Sequence, residues 1–164
     1  MSEKRIENII NEKLTGETQS NMLNLVTFMR ENGFSFDGDG AWWTPKYGDD
    51  PVGAIAIALD EMIAANISIA IWSSLDWNMG DISTDDNELK EFTWSHVVNC
   101  PQVNMGCNPP HNRSCKNYHN RVVFFGKKFE STCHSPLAFL ELSDNSLENI
   151  KKLMLLVKQG KNNN

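Results

Sequence analysis

A tract that suits neither a helix nor a packed core constrains this chain most. It reads CPQVNMGCNPPHNRSC, from Cys100 to Cys115, and holds three prolines, a glycine and three asparagines. Proline removes a backbone donor and blocks helix continuation, and a stretch with so little apolar surface cannot offset its ordering entropy by burial. Something other than a core must order it, and a metal ion or a disulfide would do so. All four cysteines fall between Cys100 and His134 (Cys100, Cys107, Cys115 and Cys133), with three of the four histidines, His111, His119 and His134.

Zinc takes four tetrahedral ligands from thiolates and imidazoles. The expected metal ligands are Cys100, Cys107, Cys115 and Cys133, with His111, His119 and His134 in reserve. Six residues separate the first pair of cysteines, seven the second and seventeen the third, so no C-x2-C knuckle is present. Unligated thiols and a disulfide or redox pair stand as the alternatives. The compartment bears on the choice. The start of the chain, MSEKRIENIINEK, is charged and has no apolar h-region, and the apolar stretches, that around Ile67 to Ile71 among them, are far short of a membrane span. A cytoplasmic protein with no membrane association is expected, and thiols stay reduced there.

A chain of 164 residues, 40% hydrophobic and 22% charged, is sized for one domain with its own core. Its net charge of −6 argues against a nucleic-acid partner, which asks for a basic face. Ile6, Ile9, Ile10 and Leu14 have helical spacing in a piece short enough to fray. Met22, Leu25, Val26 and Met29, widened by Leu23 and Phe28, make a better helix from Gln19 to Asn32, stopped at Asn32-Gly33.

The period then changes. Ala41–Tyr47 reads as a strand entered through the turn-rich Asp37-Gly38-Asp39-Gly40, with Trp42 and Trp43 on opposite faces. In Val52–Leu59 parity sets Gly53, Ile55, Ile57 and Leu59 against Ala54, Ala56 and Ala58. In Asn66–Ser73, Ile67, Ile69 and Ile71 oppose Ser68, Ala70 and Trp72. Asp60–Ala65 between them is a loop or a helical turn. Asp85, with Glu88 three residues on, resembles a capping box for a helix carrying Leu89, Phe92, His96 and Val97 to about Val98. Arg121–Phe125 and Leu137–Leu142 complete the strands, and Asp144 or Ser146 caps a last helix that ends before Gly160, leaving 161–164 as a disordered tail.

The predicted fold class is α+β, an antiparallel sheet of about five strands with helices on one face, plus the Cys-rich loop. It forms one domain over 1–160, with N-terminal helices and hairpin in 1–80 and the Cys-loop half in 81–160.

No phosphate loop, nucleophile elbow or HExxH appears. Asp49-Asp50 and Asp85-Asp86 are explained by turns and a helix start, and His96 by a structural place beside Phe92 and Val97. Five tryptophans is a rich supply. Most buried tryptophans are core, but Trp42 and Trp72 beside an alanine-lined strand are candidates for a ligand-binding pocket.

Phe124-Phe125-Gly126-Lys127-Lys128-Phe129, then Cys133-His134-Ser135, then the Leu147–Val157 helix carry a resemblance. Over residues 89–157 the chain resembles a group of small bacterial cytosolic proteins without a settled activity, in which a cysteine-containing loop precedes an F-G-K-x-F segment, another cysteine and a terminal helix. The resemblance implies that Cys100, Cys107, Cys115 and Cys133 act as a unit; it implies no substrate. The expected function is a small-ligand-binding or protein-interaction module with a structural zinc site. The competing classes are a zinc- or thiol-dependent enzyme at the cysteine cluster, with His134 as base beside Cys133, and an acidic regulatory protein that binds a basic partner.

Overall fold

A computed structural model describes residues 5–57, 67–71, 83–99 and 120–162 of the chain. Among them are four helices and eight strand segments, and every pairing with a described register is antiparallel, so the fold is α+β. The expected antiparallel α+β sheet is the one observed, with more strand segments than the five or so expected. By contacts the chain gathers into two compact units, Met1–Ala70 with Phe139–Asn164, and Ile71–Ala138.

In the first unit, α1 (Ile6–Lys13) and α2 (Gly16–Glu31) precede β1 (Phe34–Asp39) and β2 (Trp42–Tyr47). The short α1 does not fray: Ile6 and Ile10 are fully buried, each removing apolar surface worth about 1.5–3 kcal/mol. Arg30 near the end of α2 grips Glu7 of α1 through Nε at 2.6 Å. Partial burial pushes the Glu7 carboxyl up, but the Arg30 hydrogen bond and the nearby Arg30 and Arg5 charges outweigh it and hold it below its ordinary value. The helix ends at Asn32, and Gly33 turns the chain with φ +89°.

β1 is a strand that the Asp-Gly-Asp-Gly pattern conceals. It pairs with β2 from Phe34↔Tyr47 to Asp39↔Trp42, leaving Gly40 and Ala41 as the loop. The two-residue β3 (Asp50–Pro51) pairs back on β2, and β4 (Gly53–Ile57) lies beside β2 with Trp43 opposite Ile55 and Trp42 opposite Ala56. β5 (Ile67–Ile71) is the next neighbour of β4. The parity expected of these strands holds: Gly53, Ile55, Ile57, Ile67, Ile69 and Ile71 are buried, and Ala54, Ser68 and Ala70 are half-buried. Ala56 departs from it, at 2% exposure.

Helices cover the sheet face that carries Phe34, Phe36, Trp43 and Tyr47. Arg30 of α2 lies 5.1 Å from the Phe36 ring centre, and Lys158 of α4 (Asp144–Asn162) lies 5.9 Å from that of Tyr47. Buried Asn21 of α2 donates to the Leu142 carbonyl at 2.9 Å and to Asp144 Oδ1 at 3.1 Å, tying α2 to the start of α4. Ser143, rather than Asp144 or Ser146, takes the capping place there: its carbonyl accepts from Leu147 N–H and its hydroxyl from Ser146 N–H. The helix then continues through Gly160 to Asn162, where Lys161 pairs with Asp50 at 3.1 Å.

In the second unit, α3 (Asn87–Ser95) is capped by Asp86, one residue later than the spacing suggested; its carboxylate accepts from Leu89 N–H at 2.9 Å. Asp86→Ala is expected to cost about 1 kcal/mol in chemical denaturation, and Asp85→Ala less than about 0.5 kcal/mol. The helix stops at His96, and β6 (Val97–Asn99) replaces the helical end expected at Val98. β7 (Asn120–Phe124) and β8 (Lys127–Phe139) follow; β8 is far longer than the expected Leu137–Leu142 and ends at Phe139. Among the described residues no helix is long and apolar enough to cross a membrane. The expected structure at Asp60–Ala65 and the turn from Trp77 to Asp81 lie outside the described residues.

Candidate functional site

The F-G-K-x-F segment is the turn of the β7–β8 hairpin. Phe124 pairs with Lys127 across the two-residue loop Phe125-Gly126, both with positive φ, +49° and +82°. Such a loop matches the right-handed twist of its strands but suits Asn-Gly better than Phe-Gly. Phe125 in this region costs about 1–3 kcal/mol. Its side chain is 8% exposed, and burial of that ring offsets the strain. From α3, Trp94 donates its indole N–H to the Phe124 carbonyl at 2.7 Å. The Lys127 ammonium sits 4.9 Å from the Trp94 ring centre and 5.5 Å from that of Phe129. This end of the hairpin is thereby fixed to α3.

The other end of the hairpin leads to the cysteines. Thr132 of β8, fully buried, is the register partner of both Asn99 of β6 and Asn120 of β7. A strand residue has one neighbour on each edge, so β6 and β7 flank Thr132 from opposite sides. With adjacent strands ~4.8 Å apart, Asn99 and Asn120 are held ~10 Å from each other. Both ladders are irregular at this point. Between Val97↔Leu137 and Asn99↔Thr132, β6 advances by two residues and β8 by five, so Cys133, His134, Ser135 and Pro136 fall in a bulged section. Proline, lacking a ladder donor, is at home in such a bulge, and bulges redirect the strand around them.

Of the expected metal ligands, Cys133 and His134 lie in this section of β8. Cys100, Cys107, Cys115, His111 and His119 lie outside the described residues, and so does Trp72. Among the described residues no group of three or more His, Cys, Asp or Glu side chains is placed to hold a metal. Trp42 is 59% exposed, on the sheet face away from the helices, whereas Trp43 is 3% exposed and donates its indole N–H to the Gly40 carbonyl at 3.0 Å.

The remaining candidates have structural roles, though not in every case the ones expected. His96 caps the end of α3, with Nδ1 2.8 Å from the Phe92 carbonyl and its ring 4.4 Å from the Phe92 ring. Asp86 caps a helix and Asp50 pairs with Lys161. Sequence inspection missed the Trp94–Lys127–Phe129 stack and the double pairing of Thr132. The stack has a faint signal in the aromatic residues around Lys127; the pairing has none, because a ladder between distant segments leaves no local pattern. No family model matches this chain, and comparison with curated proteins and with solved structures yields no match either.

Proposed function

We propose that this chain is a non-enzymatic interaction module of the cytoplasm whose cysteine tract is stapled by one zinc ion. Cys100, Cys107, Cys115 and Cys133 are the ligands, with His111, His119 and His134 as substitutes, and the module binds a protein or a small molecule. The observation that carries the reading is the double pairing of Thr132. Asn99 and Asn120, the described residues that bracket the tract in sequence, pair on the two sides of Thr132, the residue next to Cys133. A polar, proline-rich sequence between two residues fixed in this way has little apolar surface to order it, and metal ligation would supply the missing free energy. The resemblance of residues 89–157 to proteins with a cysteine loop ahead of F-G-K-x-F supports treating the four thiols as a unit.

A second reading is favoured by the bulge itself. Bulges are common beside active sites, and Cys133 with His134 there is the thiol–base pair of a thiol-dependent enzyme. Elemental analysis and alkylation separate the two. Protein purified without chelator is expected to carry close to one zinc per chain, with all four cysteines slow to react until the metal is stripped. Fast labelling of Cys133 alone in the untreated protein selects the enzyme. Even labelling of all four in a metal-free protein of unchanged stability removes both readings.

A further inference from the structure

The tip of the β1–β2 hairpin presents an indole and two carboxylates on one face. Trp42 is 59% exposed there, and Leu140 is the other large hydrophobic residue with comparable exposure among the described residues. The exposed Asp39 is its direct cross-strand partner, and Asp37 lies two residues along the same face. Asp37 is engaged by Lys46 at 2.7 Å, and that hydrogen bond holds its carboxyl below the ordinary value; Asp39 makes no ion pair among the described residues. Aspartates on an outer strand discourage strand addition, which accounts for Asp37 and Asp39 but not for an indole left in water beside them.

The tip is also built to hold this geometry. Trp43 points inward and pins the loop through Gly40. Gly38 allows the strands to approach so closely that a Cβ on it would lie 2.3 Å from the Trp42 carbonyl oxygen. A rigid aromatic anchor needs little ordering on binding, and tryptophan is enriched where binding energy concentrates.

We propose that the outer face of the β1–β2 hairpin, Trp42 with Asp39, docks an arginine- or lysine-bearing segment of a protein partner. The cation lies over the indole face and pairs with the free Asp39 carboxylate, and the acidic chain, at −6, steers the basic segment toward it. This partner class rests on the interaction-module reading. The two fail independently, because metal content is read at the cysteines and docking at Trp42.

The test uses the full chain and a short fluorescein-labelled peptide alternating arginine and alanine, followed by anisotropy at low ionic strength. Trp42→Ala is expected to weaken binding about fivefold or more, and Trp42→Phe to restore part of it. Asp39→Asn is expected to weaken it about threefold. Glu17→Gln, which removes the same charge on a helix covering the other face, leaves binding within about 1.5-fold. Because Trp42 is exposed, its variants should keep the parent's thermal unfolding and zinc content. Equal loss from Asp39→Asn and Glu17→Gln with none from Trp42→Ala means diffuse attraction and overturns the docking site. Absence of peptide binding also overturns it, as does self-association abolished by Trp42→Ala, which makes the occupant a second copy of the chain.

Discussion

Ile57→Ala and Ile69→Ala are each expected to lower unfolding free energy by about 2–5 kcal/mol, read from the shift in urea midpoint at unchanged slope. Ile57 is fully buried and Ile69 is 4% exposed, on strands whose alternate residues are small. Truncation removes several methylene-sized groups from the core and leaves a cavity that strands held in a ladder cannot close by shifting. The contrast is Thr44→Ala on β2, half-buried on the face opposite the helices, which should change stability by less than about 0.5 kcal/mol. Losses below about 1 kcal/mol at both isoleucines would place the core on the other face of the sheet.

These isoleucines were legible in the sequence because a half-buried strand writes its face into every second residue. Trp42 and Trp43 were legible for the same reason, and α1, α2 and α4 through their 3.6-residue stripes. What failed was whatever depended on partners elsewhere in the chain. Asp37–Gly40 reads as a turn because of its glycines and aspartates, which hides the strand Phe34–Asp39. That segment becomes a strand because β2 is there to pair with it and because Gly38 fits opposite Trp43. His96 and Val97 continue the apolar spacing of α3, yet the helix ends at Ser95, and Val97 pairs with Leu137 instead. A long-range ladder overrides a local preference worth only a few tenths of a kcal/mol per residue. The extent of β8 was hidden by the Cys133–Pro136 section, whose bulge breaks the alternation that marks a strand. For the candidate metal site, ligand types and spacing were on the surface of the sequence. The meeting of β6 and β7 at Thr132 depends on pairing between distant segments and was not.

Gly38→Ala is expected to destabilise the protein by about 3 kcal/mol, although it adds a single methyl group. Gly38 has φ +154°, a backbone conformation that residues with a Cβ rarely adopt. Space is tighter still. The added Cβ would meet the Trp42 carbonyl oxygen at 2.3 Å, Trp43 Cα at 2.9 Å and the Trp42 carbonyl carbon at 3.2 Å. All three are backbone atoms, so no side chain can rotate away, and β1 must move off β2. That movement disturbs the Asp39↔Trp42 pair and the loop pinned by the Trp43 indole. Two effects should therefore appear together: a lower melting temperature and a weakened grip on the arginine–alanine peptide. Gly40→Ala, in the loop that follows β1, is the control. At φ +53° it bears a similar backbone penalty, but a Cβ there meets nothing within 4 Å, so its cost should stay near 1 kcal/mol. Equal losses from the two variants would mean that conformation alone, and not the close approach of β1 to β2, makes glycine necessary at position 38.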